Sequence, residues 1–163
     1  DEEKGYKSPY YVTCDRELGV FESEWMPAAG VQPALDILAS GLLTGKFTPS
    51  TTFNPNDHRA FNRNGEAFDK GETFAGIDYL KGLNAVEEIK KLFPADSNLA
   101  ANALKWILMF PEVSCIIPGA SSPDQILSNQ NASELPELSN DQMEGIKQIY
   151  EEYMLPDVAK EKW

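Results

Sequence analysis

A chain of 163 residues is long enough for one domain or a large piece of one. Its net charge of −12 argues against nucleic acid as a partner, because phosphate neutralisation needs clustered Lys and Arg. No run reaches the ~20 apolar residues of a membrane span, and the opening Asp1-Glu-Glu-Lys4 has no signal-peptide pattern. Cys14 and Cys115 stand too far apart in sequence to suggest a disulfide framework, and two thiols cannot complete a zinc site. These features predict a cytoplasmic protein with neither nucleic-acid nor membrane partners.

Residues 1–7 are polar and predict a frayed end, and Tyr10 to Cys14 predicts a short strand. Glu17 to Ala29 reads as a helix with Leu18, Phe21 and Trp25 on one face, although Gly19 and Pro27 weaken its pattern. Val31 to Leu38 reads as a second strand, with Pro33 awkward in a central position. Ala39-Ser-Gly-Leu-Leu-Thr-Gly-Lys46 then puts small residues after that strand, where backbone can approach a ligand closely. Residues 47–79 lack periodicity; loops of that length often cover binding sites. Aromatics along it, among them Phe53, Phe61, Phe68 and Phe74, argue against a disordered linker.

Leu83, Val86, Ile89, Lys90 and Phe93 keep helical spacing, with Pro94 as the stop. Asp96 or Ser97 is expected to cap a second helix, Leu99 to Met109, that is apolar on nearly every side and therefore either buried or packed against two neighbours. Val113 to Ile117 reads as a buried strand of a parallel sheet. Ser122, Pro123 and Gln125 then open a helix with a capping box, Ser-x-x-Gln, in which each side chain satisfies the other's backbone N–H. Strand, small turn and helix N-terminus together form a natural phosphate site, and an ordinary βα connection accounts for the same residues. Ser139 caps a last helix with Met143, Ile146, Ile149 and Tyr150 inward and Glu144, Lys147 and Glu151 outward. Strands alternating with helices imply an α/β fold with a parallel sheet and function at the carboxyl ends of its strands.

Little else carries chemistry. His58 is the only histidine, so any Ser-His-Asp or multi-histidine metal site would rest on it alone; it reads as a solvated loop residue. No pair of carboxylates stands out as acid and base, and neither GxGxxG nor GxxxxGK[ST] is present.

Two segments resemble a known family. Leu38-Ala-Ser-Gly-Leu-Leu-Thr-Gly-Lys-Phe47 resembles the segment after the seventh strand of aldo-keto reductases. Cys115-Ile-Ile-Pro-Gly-Ala-Ser-Ser-Pro-Asp-Gln-Ile-Leu-Ser-Asn129 resembles their eighth strand and the nucleotide-binding turn and helix that follow. Ala103 to Val113 resembles the penultimate helix, and His58-Arg-Ala-Phe-Asn-Arg63 with Gly71-Glu-Thr-Phe74 resembles the extended loop of one bacterial-type subgroup. The likeness is strongest from residue 38 onward and thinner before it, where Tyr11 to Arg16 resembles the segment after the sixth strand.

That resemblance implies a (β/α)₈ TIM barrel of which this chain supplies the C-terminal strands and helices, as one partial domain over 1–163. Residues 1–37 diverge, 38–163 form the cofactor-binding portion, and 47–80 form a long loop. It implies an oxidoreductase portion binding the nucleotide half of NADP(H) for aldehyde or ketone reduction. Leu38, Ser40, Gly41 and Leu42 would lie along the pyrophosphate, and Gly119, Ser121, Gln125 and Asn129 would surround the adenosine end. The family's catalytic Asp, Tyr, Lys and His match no residue of this chain. The nicotinamide-side positions are Ser8, Val12 and Leu35, and Ser121, Ser122 and Gln125 stand where basic residues often hold a 2′-phosphate, so NAD is an alternative cofactor. A small carbonyl substrate would then require an N-terminal half. The competing expectation is a non-catalytic truncated barrel, acting as an interaction or subunit module or as an inactive fragment. For a partial sheet with an exposed edge, self-association is expected.

Overall fold

The structure, a computed structural model, describes residues 13–15, 20–22, 33–34, 37–68, 70–111, 113 and 115–157. Strand β1 (Thr13–Asp15) pairs antiparallel with β2 (Val20–Glu22), Cys14 facing Phe21. The helix expected over 17–29 is therefore replaced at 20–22 by a strand, as suits a β-branched and an aromatic residue placed after Gly19; the rest of that helix, like Tyr10 to Val12, lies outside the described residues. Strand β3 (Pro33–Ala34) pairs parallel with β4 (Cys115–Ile116), Pro33 facing Cys115. Pro33 opens its strand, a position proline tolerates. Residues 37–38, expected to end the first strand, form a turn, and 31–32 and 35–36 lie outside the described residues. Where a buried strand is expected over 113–117, Cys115 and Ile116 are paired but only half-buried, and Ile117 is 70% exposed.

The parallel pair delivers the chain into two turns. After β3, a 3₁₀ turn spans Ala39–Thr44; after β4, residues 117–122 lead into helix α4 (Pro123–Asn131). Between them come α1 (His58–Phe61), short 3₁₀ turns at Lys70–Glu72 and Phe74–Gly76, α2 (Tyr79–Lys90) and α3 (Leu99–Leu108). Helix α5 (Asn140–Ile149) and a π turn (Tyr150–Met154) close the described chain.

The segment expected as a long loop is ordered by polar and aromatic contacts in place of a hydrophobic period. Asn62 is completely buried, and its Oδ1 accepts from the backbone N–H groups of Ala67 and Phe68, each at 2.8 Å. Its Nδ2 donates to Thr73 Oγ1 at 3.2 Å, so a buried amide that would be costly unpaired is satisfied on both ends. Phe53 meets Phe47, Phe74 and Tyr79 with ring centroids 5.2, 5.9 and 6.3 Å away. Arg59 and Arg63 lie over the Phe53 ring at 4.7 and 5.6 Å, within cation–π range.

Two apolar clusters result. Leu42, Phe74, Ile77, Tyr79, Leu83, Val86 and Leu99 join the turn 39–44, the loop and α2. Ile37, Ala101, Leu104 and Ala132 join α3 to the chain after α4. Each helix start has its cap. Asp78 Oδ1 accepts from Lys81 N at 3.0 Å, and Ser139 forms a complete capping box with Gln142. Asn98, rather than Asp96 or Ser97, caps α3, accepting from Ala101 N at 3.2 Å; it directly precedes the first helical residue. No residue of α3 is exposed, and the faces of α5 fall as expected, with Glu144 and Lys147 outward and Met143 and Ile146 half-buried. Among the described residues no helix is long and apolar enough to cross a membrane.

Candidate nucleotide-binding groove

The two turns after the parallel strands form the walls of one groove of about 1120 Å³. Leu38, Ser40 and Gly41 line it from the first turn, and Gly119, Ser121, Gln125 and Asn129 from the second turn and the inner face of α4. Seven of the eight residues expected at a cofactor site thus come together, although some eighty positions separate the two segments. Leu42 does not join them. It is 2% exposed and packs in the core cluster with Phe74, Ile77 and Leu83, following the left-handed kink at Ser40 and Gly41.

The first wall has an unusual backbone. Ala39 and Ser40 carry φ of 47° and 53°, and Gly41 a φ of 95°. Glycine is required at 41 on two grounds: the left-handed φ, and a Cβ there that would sit 3.0 Å from Phe47 Cζ. The Gly41 N–H donates to Leu38 O at 2.9 Å and Thr44 Oγ1 donates to Gly41 O at 2.7 Å, which fixes the turn.

The second wall is held by its own side chains. Ser122 accepts from Gln125 N at 3.3 Å, as expected of the cap, and Pro123 occupies the first turn. The reciprocal half of the capping box is not made. Gln125 Oε1 accepts instead from Ser121 N at 2.6 Å and from Ser121 Oγ at 3.0 Å, reaching one residue further back because Ser121 faces it across the groove side of the helix end. Asn129, one helical turn after Gln125, donates from Nδ2 to Gly119 O at 3.4 Å. Gly119 has no heavy atom within 4 Å of where a Cβ would stand, so that stretch of wall is open.

Sequence reasoning missed the groove's cations. Lys46, Arg59, Lys90 and Lys91 line it together with His58, and among the described residues Glu87 is the one acidic lining residue. Lys90 and Lys91 are each 2.6 Å from a glutamate one turn back, Glu87 and Glu88. Among the described residues no carboxylate pairs with Lys46. The His58 side chain keeps 39% of its surface exposed, and its Nε2 stands 3.4 Å from Ser40 Oγ. Arg59 donates from Nη1 to Ser40 O at 3.3 Å and from Nη2 to Asp57 Oδ2 at 2.6 Å. That hydrogen bond is the main reason the Asp57 carboxyl titrates low, at about 2, and it raises the Arg59 guanidinium in turn. The one available signal for His58 and Arg59 was their place, after Asp57, inside an aperiodic but aromatic-rich loop.

A parallel βα pair with small-residue turns at its strand ends, backbone amides and lysines facing one groove is suited to holding an anionic nucleotide. Among the described residues no group of three His, Cys, Asp or Glu is placed to hold an ion. The family model of the aldo/keto reductase family matches residues 29–151, three quarters of the chain and both walls, and the chain belongs to that family. No curated protein matches the chain. The family fold is the (β/α)₈ barrel, whose members are oxidoreductases that use NAD(P)(H), and the parallel pair β3–β4 agrees with it.

Proposed function

We propose that this chain carries the nucleotide half of an aldo/keto reductase cofactor site. The pyrophosphate of NADP(H) lies along Leu38, Ser40 and Gly41, and the adenosine end lies among Gly119, Ser121, Gln125 and Asn129. The observation that carries this reading is the convergence of those seven residues on one groove. The groove fits the group chemically. Arg59 stands beside Ser40 and Gly41 and Lys46 lines the same groove, the bare backbone at Gly119 leaves room for a flat base, and α4 presents its N-terminus to the second turn. When bound, the cofactor supplies hydride for reduction of an aldehyde or ketone. This chain's residues hold and orient it; the proton-transfer groups of the family have no counterpart among them.

At the adenosine end the chain presents hydroxyls and an amide, Ser121, Ser122 and Gln125, in place of a basic side chain. We therefore propose NADP(H) with only modest discrimination against NAD(H), because neutral donors gain less from a 2′-phosphate than a guanidinium does. Titration with NADPH, NADP, NADH and NAD, followed by quenching of tryptophan fluorescence or by calorimetry, tests the reading. Binding of at least the two phosphorylated forms supports it, and binding of none of the four overturns it in favour of a non-catalytic module.

A further inference from the structure

Among the described residues, four that are not glycine adopt positive φ, and they form two dipeptides: Ala39–Ser40, at 47° and 53°, and Phe74–Ala75, at 52° and 55°. The two dipeptides are thirty-odd residues apart in sequence and joined in space, since the Phe74 N–H donates to Ser40 Oγ at 3.3 Å. Left-handed backbone costs a non-glycine residue free energy and persists only where its surroundings enforce it. The surroundings here are visible. Phe74 is fully buried beside Tyr79, with ring centroids 5.1 Å apart, and fully buried Thr73 is tied to Asn62. Neither Phe74 nor Ala75 lines the groove, whereas Ser40 and Gly41 do.

We infer that the Phe74–Ala75 turn is a positioning element for the groove's first wall: its left-handed backbone aims the Phe74 N–H at Ser40 Oγ and so holds the Ser40–Gly41 turn in the shape that receives the pyrophosphate. This rests on the nucleotide reading above for its ligand, but not for the coupling between the two turns. A specific consequence follows for Ala75, which is solvent-exposed and does not line the groove. A β-branched side chain at that left-handed position disfavours the turn without opening a core cavity, and glycine favours it.

The test compares the wild-type chain with Ala75→Val and Ala75→Gly by two readouts. Amide hydrogen exchange at Gly41 and Leu43, both bonded to Leu38 O, reports the shape of the first wall without any ligand. Titration with NADPH, which spans both walls, and with adenosine 2′-monophosphate, which reaches only the second, reports binding. The account predicts that Ala75→Val speeds exchange at Gly41 and Leu43 and weakens NADPH about tenfold. It leaves adenosine 2′-monophosphate unchanged, and Ala75→Gly matches the wild type in all three. In a Ser40→Ala background the effect of Ala75→Val shrinks, since the link it acts through is gone. Unchanged exchange and NADPH affinity in Ala75→Val overturn the inference, as does equal weakening of both ligands or an undiminished effect in the Ser40→Ala background. A wild-type chain that binds neither ligand while Ala75→Val still alters exchange refutes the nucleotide reading and leaves the coupling standing.

Discussion

Replacing Arg59 by alanine separates the electrostatic contribution of the loop from its packing. Arg59 bonds Asp57 through both its Nε and Nη2, at 2.9 and 2.6 Å, in a fork-on-carboxylate pair 29% and 22% exposed. The Asp57 carboxyl titrates at about 2 instead of 3.8. A displacement of that size corresponds to roughly 2 kcal/mol at most, and solvent screening of a partly exposed pair brings it to about 1 kcal/mol. The sign is that of a depressed carboxylate. The contribution is complete above the unfolded value of 3.8 and is lost as pH falls through about 2. Loss of the guanidinium over Phe53 adds about 0.5–1 kcal/mol that does not depend on pH in this range. Denaturant unfolding of the wild type and Arg59→Ala at a series of pH values is the assay. The stability gap should be about 1.5–2 kcal/mol at neutral pH and narrow by about half toward pH 2. A gap that stays constant from pH 7 to 2 would show that the Asp57 pair contributes nothing, and the electrostatic reasoning would fail.

Other changes have sharper local meaning. Gly41→Ala should weaken NADPH binding about tenfold or more and lower Tm, because its Cβ meets the Phe47 ring at 3.0 Å and its φ is 95°. Gly119→Ala meets nothing within 4 Å, so Tm should hold while affinity falls at the adenosine end; equal thermal cost at both glycines would contradict this. Leu104→Ala empties a fully buried position in the second cluster and should cost about 2–4 kcal/mol by denaturant unfolding. Ser139→Ala, which removes the hydroxyl that accepts from Gln142 N and keeps the backbone N–H that donates to Gln142 Oε1, should cost about 1 kcal/mol, with little effect on nucleotide binding because α5 does not line the groove.

The elements that sequence pattern predicted well are those whose signal is local. Ser139 with Gln142 fixes the start of α5, Pro94 follows the end of α2, and the apolar run of α3 reads directly as burial. The strands were harder, since two paired residues carry almost no period and their partner lies eighty positions away. The loop was legible as ordered from its phenylalanines, but not how: a buried Asn62 and two arginines over aromatic rings do the work that periodicity does elsewhere. The site divides the same way. Leu38 to Leu42 and Gly119 to Asn129 came from likeness to a family, and Leu42 alone turned into the core. Arg59 and Lys90 reach the groove only through tertiary packing, which no local pattern announces.

The central claim is that two distant segments build one nucleotide-binding groove, and residue-resolved NMR titration with NADPH tests it most directly. The account predicts that the amides of Gly41 and Gly119 shift in the same titration and yield one common Kd, with Leu42 moving less because it is buried beneath the turn. Shifts at only one of the two glycines, or two unrelated binding curves, would contradict it.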